Sequence, residues 1–206
     1  AFGTFQTYVA ILNPTASAFT ISASLYDSNG TKHDGQIQLA AGEQKVYTNF
    51  VDSVFQFAGG GAVTLTAPDS AGGQRNNRFI VTSEVRSSGA HYGTSVPTIE
   101  FAGSNSRSYV PGITVDSTTR TNVGCFNQSD VQNAIKVTIL DASGAQTLGS
   151  ADLTLPAHAW GQRGVSTIVS GGMVRFDPAE NAVCYAVVVD NATQDGRLGT
   201  AAEYRP

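Results

Sequence analysis

The chain is 206 residues long, room for one large domain or for two of about 100 residues each. Charged residues make up 14% of it and hydrophobic residues 41%, with a net charge of −4, whereas an average soluble protein is about 25% charged. That balance excludes the clustered basic field of a nucleic-acid surface, and no apolar run approaches the ~20 residues that insert across a bilayer.

From the N-terminus the chain reads as short alternating segments rich in Val, Ile, Thr, Tyr and Phe. In order these are TYVAILN, AFTISASLY, GQIQLA, KVYTNF, AVTLTA and RFIVTSEVR, then RTNVGCFN, AIKVTILD, ADLTLPA, MVRFDP and AVCYAVVVD. Gly, Asn, Asp and Ser punctuate them, and no long segment carries apolar residues at helical spacing. The pattern predicts an all-β sandwich or barrel.

The second series of strands repeats the first. At an offset of 114 (141 − 27 = 114), Val9 falls on Val123, Ile11 on Cys125, Asn13 on Asn127, Asp27 on Asp141 and Gly30 on Gly144. GGGAVTL then parallels SGGMVRF, and Gly93-Thr94 parallels Gly199-Thr200. Insertions fall in turns while alternation is kept, as duplication requires, because a one-residue slip would invert a strand's buried face. Two tandem sandwiches are expected, residues 1–98 and 106–206, joined by a linker at 99–105. SRSYVPGITV leads the second copy, its proline suited to a sheet edge. Ahead of the first copy stands only AFGTFQ, either a short form of that strand or a sign that the first sandwich lacks it. An open edge there would accept a strand from a neighbour.

Few residues offer chemistry. Cys125 and Cys184 sit in strands of the same half, where a disulfide is expected in an oxidising compartment, with a buried unpaired couple as the alternative. Cys184 aligns with Ile80 or Val81, so the bridge would replace an aliphatic pair and add about 2–4 kcal/mol. His33, His91 and His158 are scattered over turns, and Glu43, Glu84, Glu100, Glu180 and Glu203 are dispersed, which points to no metal centre, cofactor or enzymatic pair. GTSVP and RGVST lack the frame of a nucleophile elbow. DNATQDG, with Asp190 and Asp195, holds oxygen ligands for calcium but lacks the spacing of an EF-hand loop, and reads otherwise as a hairpin loop. Trp160 is the sole tryptophan, a partly buried residue or a sugar-stacking platform. Asp27, Gly30, Asp141 and Gly144 form the repeated motif D-x-x-G, read as a hairpin corner in which the carboxylate caps backbone amides.

Taken together, RTNVGCFN, VTILDASG, LTLPAH, GQRGV and YAVVVDNATQDG resemble the immunoglobulin-like β-sandwich repeats of secreted bacterial surface proteins. The likeness covers the second copy well and the first loosely. It implies an exported, bacterial, multidomain surface protein and attaches no activity to any residue. The chain opens AFGTF without a methionine, which fits a processed or excised chain. The expectation is a non-enzymatic extracellular structural or adhesive protein, a subunit of a fibre or surface layer whose partners are copies of itself or surface neighbours. The alternative is a carbohydrate-binding module of a secreted hydrolase, with a glycan as partner.

Overall fold

Alternation along the first strands places one face of each in a core. In β1 (Phe5–Leu12) Val9 and Ile11 are buried. β2 (Phe19–Tyr26) buries Phe19, Ile21, Ala23 and Leu25, and β3 (Lys32–Leu39) buries Ile37 and Leu39. The computed structural model describes residues 5–67, 79–87, 93–99, 107–177 and 181–203. His91, Glu100, Glu180, linker residues 100–105 and the side chain of Glu203 lie outside these.

After β4 (Gln44–Tyr47) the chain departs from expectation. KVYTNF reads as one strand, yet Phe50 opens a short helix, α1 (Phe50–Phe55). Its buried Phe50, Val51 and Phe55 lie against the core, and Phe50 meets Tyr47 and Phe55 edge to face at 5.3 and 5.8 Å. Apolar burial outweighs the β preference of these aromatic and β-branched residues. Gln56, at φ 51°, ends the helix, its N–H donating to the Asp52 carbonyl. β5 (Ala62–Thr66), β6 (Ile80–Ser87) and β7 (Gly93–Ser95) complete two antiparallel sheets, β4-β1-β6-β7 and β3-β2-β5, around one core.

The remaining strands are β8 (Ser108–Val115), β9 (Thr119–Asn127), β10 (Asn133–Leu140), β11 (Thr147–Ser150), β12 (Leu153–Leu155) and β13 (Trp160–Gly164). β14 (Val169–Asp177), β15 (Ala182–Asp190), β16 (Gly196–Thr200) and β17 (Ala202–Glu203) follow. One sheet runs β13-β9-β15-β16, and the other β11-β10-β14-β8-β17 with β12 also on β10. A second core cluster, from Val110 to Ala186, lies between them. The fold is thus all-β and sandwich-like, with several antiparallel sheets and none closed.

The order of connection in β4-β1-β6-β7 recurs in β13-β9-β15-β16, and that of β3-β2-β5 in the strands around β10. Register recurs with it. Ile11 stands opposite Val81, as Cys125 stands opposite Cys184, so Val81 rather than Ile80 matches the second cysteine. A different expected match moves by three residues. Gly93 lies opposite Arg86 and Gly196 opposite Val189, which pairs Gly93 with Gly196 and not with Gly199. β8 is an inner strand, because β17 pairs with it at Ser108 and Tyr109. That short partner does not reach Pro111, which has no N–H to offer it.

The two halves meet at the first hairpin corner. The Trp160 N–H donates to the Asp27 carbonyl at 3.1 Å, and Tyr26 packs its ring on Phe126 at 5.2 Å and on His158 at 5.8 Å. Gly30, at φ +82°, lies so near this junction that a Cβ would run into the Ala157 carbonyl oxygen. Gly144, at φ +76°, would meet only the flexible end of Met173. Gly144→Ala is therefore expected to cost about 1–2 kcal/mol for left-handed backbone alone. Gly30→Ala is expected to cost more, because it also separates the two halves. Urea unfolding of the two variants side by side checks the order, and equal losses would contradict the contact.

Candidate functional site

The residues of the two D-x-x-G corners are occupied with backbone. Asp27 Oδ1 accepts from the amides of Asn29 at 2.8 Å and Thr31 at 2.9 Å, and Asp141 Oδ1 accepts from Gln146 N at 3.1 Å. Asp141 Oδ2 takes the Ser143 hydroxyl at 2.7 Å. In each corner the glycine amide donates to the aspartate carbonyl, at 3.2 Å for Gly30 and 3.0 Å for Gly144. Burial pushes the Asp27 carboxyl upward, but the Thr31 and Asn29 amides and His33 outweigh it and hold it below the usual range. The Ser143 hydroxyl and the Gln146 amide likewise hold Asp141 low. Both carboxylates are held ionised by backbone and hydroxyl donors, which makes each a weaker base than a free carboxylate.

A second repeated pair escaped the motif reading. Asn13 and Asn127 are both fully buried. Asn13 Nδ2 donates to the carbonyls of Ser17 and Ala40, each at 2.8 Å, while Oδ1 accepts from Thr15 N at 2.9 Å and Thr15 Oγ1 at 2.7 Å. Asn127 Nδ2 donates to Val131 O at 2.8 Å and Pro156 O at 2.7 Å, and Oδ1 accepts from Ser129 N at 3.1 Å and Ser129 Oγ at 2.8 Å. A polar residue ending an alternating apolar strand, at the same place in both halves, was the available signal.

Cys125 and Cys184 form a disulfide across the directly opposed residues of β9 and β15, with Cα atoms 4.1 Å apart. The calcium reading of residues 190–196 meets a different arrangement. Asp190 Oδ1 accepts from Ala192 N and Thr193 N, both at 2.8 Å, which hold it below the usual carboxylate range, Thr193 foremost. Asn191 Oδ1 and Gln194 Oε1 accept from the Arg120 guanidinium, each at 2.8 Å, and Asp195 Oδ1 accepts from Gly196 N. A cation already sits on the loop's neutral oxygens. Among the described residues no group of three or more His, Cys, Asp or Glu is placed to hold a metal ion. Millimolar calcium followed by excess chelator is expected to leave the melting temperature unchanged, whereas a calcium-dependent rise would restore the ion-binding reading.

Trp160 is half-buried at the start of β13, and its Nε1–H donates to Tyr185 Oη at 3.1 Å. Tyr185 Oη in turn donates to Gln162 Oε1 at 2.8 Å, and burial pushes its phenol pKa upward. The Tyr185 ring lies over Gly124, where a Cβ would intrude on it. His33 stacks on Phe57 at 4.3 Å with its Nε2 3.7 Å from Asp27 Oδ2, and His158 Nε2 lies 2.9 Å from Asp130. Glu43 takes the Ala40 amide at 2.7 Å, and Glu84 pairs with Arg86, which lies over the Tyr8 ring. These carboxylates and histidines are thus engaged separately, each with a different neighbour.

The remaining candidate is a sheet edge. β5 pairs with β2 on one side, and among the described residues no strand pairs with its other side. Its inward-facing Val63 is 38% exposed, while Val174, which holds the matching place in β14, is 0% exposed. No family model, curated protein or solved structure matches the chain.

Proposed function

We propose that the chain is a non-enzymatic structural or adhesive module, exported to the cell surface or beyond. In this reading it consists of two tandem immunoglobulin-like sandwiches that arose by duplication, residues 1–98 and 106–206. It assembles into a fibre or surface layer through its sheet edges. The observation that carries the reading is the junction, in which the Asp27 carbonyl, Tyr26 and Gly30 of the first half meet Phe126 and residues 157–160 of the second. One backbone hydrogen bond and two ring contacts join the halves at this corner, which favours their acting as a unit in an assembly. The disulfide supports export, since such bonds persist mainly in oxidising compartments. A bacterial surface origin rests on the sequence resemblance.

Size-exclusion chromatography and electron microscopy over a wide concentration range test this function. Filaments or sheets that grow with concentration are expected, and a monomer at every concentration would overturn the assembly. The carbohydrate-binding alternative has Trp160 as its platform, whose indole N–H is engaged by Tyr185. Polysaccharide binding that is lost in Trp160→Ala would replace the structural reading.

A further inference from the structure

The junction between the halves has two parts, and each part recurs once elsewhere in the chain. One part is the first hairpin corner, where the Asp27 carbonyl accepts the Gly30 amide and the Trp160 N–H, and Gly30 lies against the Ala157 carbonyl. The other is the bend at 156–160, with Phe126 beside it. In that bend the Ala159 amide donates to the Pro156 carbonyl, His158 has φ 55°, and the Asn127 amide donates to the Ala159 carbonyl. This last bond makes the neighbouring Phe126 and Trp160 a pair without mutual hydrogen bonds, so the Trp160 N–H points off the edge strand β13.

The first half has the same bend at 40–44. The Glu43 amide donates to the Ala40 carbonyl at 3.1 Å, Gly42 has φ +70°, and the Asn13 amide donates to the Glu43 carbonyl at 2.9 Å. Leu12 stands opposite Gln44 as Phe126 stands opposite Trp160, and β4 is an edge strand like β13. The Gln44 N–H therefore points off its sheet, and among the described residues no group accepts it. Ala41, Gly42 and Gln44 are exposed, and Val46, one step along the same face, is 46% exposed.

The second half has the same corner at 141–144. Its Asp141 carbonyl accepts the Gly144 amide and, among the described residues, nothing else. Gly144 keeps the positive φ of Gly30, and only the end of Met173 stands near it. Ala142 and Ser143 are exposed. Leu140, in the place of Tyr26, is buried, while Met173 opposite it is half-buried and offers the apolar surface at this corner.

We propose that these two parts meet between molecules, the 141–144 corner of one docking on the 40–44 bend of a second copy of this chain. The Asp141 carbonyl accepts the Gln44 N–H, Gly144 lies against the Ala41 carbonyl, and Met173 covers Leu12. The contact joins unlike surfaces, so it continues head to tail as a filament unless the rotation closes a ring. The inference rests on the structural reading above and names the surfaces through which molecules join.

The test uses two variants of the full chain. Gln44→Pro removes the one N–H and spares the ladder to β1, since that N–H faces away from it. Gly144→Asn brings in a residue that tolerates left-handed backbone, with a side chain where the Ala41 carbonyl would close. In sedimentation velocity the wild-type chain is expected to form larger species as concentration rises. Each variant alone is expected to associate about ten-fold more weakly or worse, the scale of one lost hydrogen bond. Mixed in equal amounts, the variants are expected to form a one-to-one dimer that grows no further, because each retains the part the other lacks. Such a dimer also shows that both are folded. A variant that assembles like the wild type, or a mixture that stays monomeric while the wild type assembles, overturns the contact and leaves the structural function standing. A wild type that is monomeric at every concentration overturns both.

Discussion

Asn127→Ala is expected to lower stability by about 2–4 kcal/mol, since each buried polar group left without a partner costs roughly 1–3 kcal/mol. The side chain has no exposed surface and holds together three pieces of chain, the 129–131 loop, the Pro156 corner and the end of β9. Its amide donates to Val131 O and Pro156 O, and its oxygen accepts two bonds from Ser129. Water reaches some of these groups once the side chain is gone, which limits the loss. Asn127→Asp is expected to be worse than alanine. It retains the acceptor but turns a carboxylate oxygen toward two carbonyl oxygens in a buried site. Asn13, with the same network, is expected to give the same order of effects. Urea unfolding followed by circular dichroism measures all four variants, and losses under about 0.5 kcal/mol, the size of an ordinary surface substitution, would contradict the role.

Removing the disulfide by Cys125→Ala with Cys184→Ala is expected to cost about 2–4 kcal/mol. The cysteines are 59 residues apart in sequence, so the cross-link restricts a long loop in the unfolded chain. Both are buried, and truncation also removes packing beneath β9 and β15. The matching Ile11 and Val81 fill this position in the first half with aliphatic side chains. Reduction of the native protein should therefore destabilise the second half directly, and the first only through loss of their shared junction. Thermal unfolding with and without reductant, followed by proteolysis to locate the opened half, checks this.

The strands that bury one face were legible in the sequence because alternation is a local signal. β1, β2, β9, β10 and β15 fall where their apolar residues alternate. The D-x-x-G corners were legible for a similar reason, since Asp and Gly have narrow conformational roles there. α1 was not, because Phe50, Val51 and Phe55 become helical only when a core accepts their shared face. β13, WGQRG, is largely exposed at the edge of its sheet, and pairing with β9 rather than burial makes it a strand. The Asn13 and Asn127 hubs could be aligned but not interpreted, because their partners lie up to 27 and 29 residues away. The open side of β5 left no mark in AVTLT. Whether a strand is central or at an edge depends on its neighbours, which no local stretch of sequence reveals.

Amide hydrogen exchange on the isolated chain tests the central claim most directly, by comparing β5 at 62–66 with the matching part of β14 at 173–177. A strand paired on one side and half-exposed opens far more readily than one paired on both. The account predicts that 62–66 exchanges on the order of 100-fold faster than 173–177. Equal protection of the two segments would mean that the edge of β5 is already covered, and would contradict it.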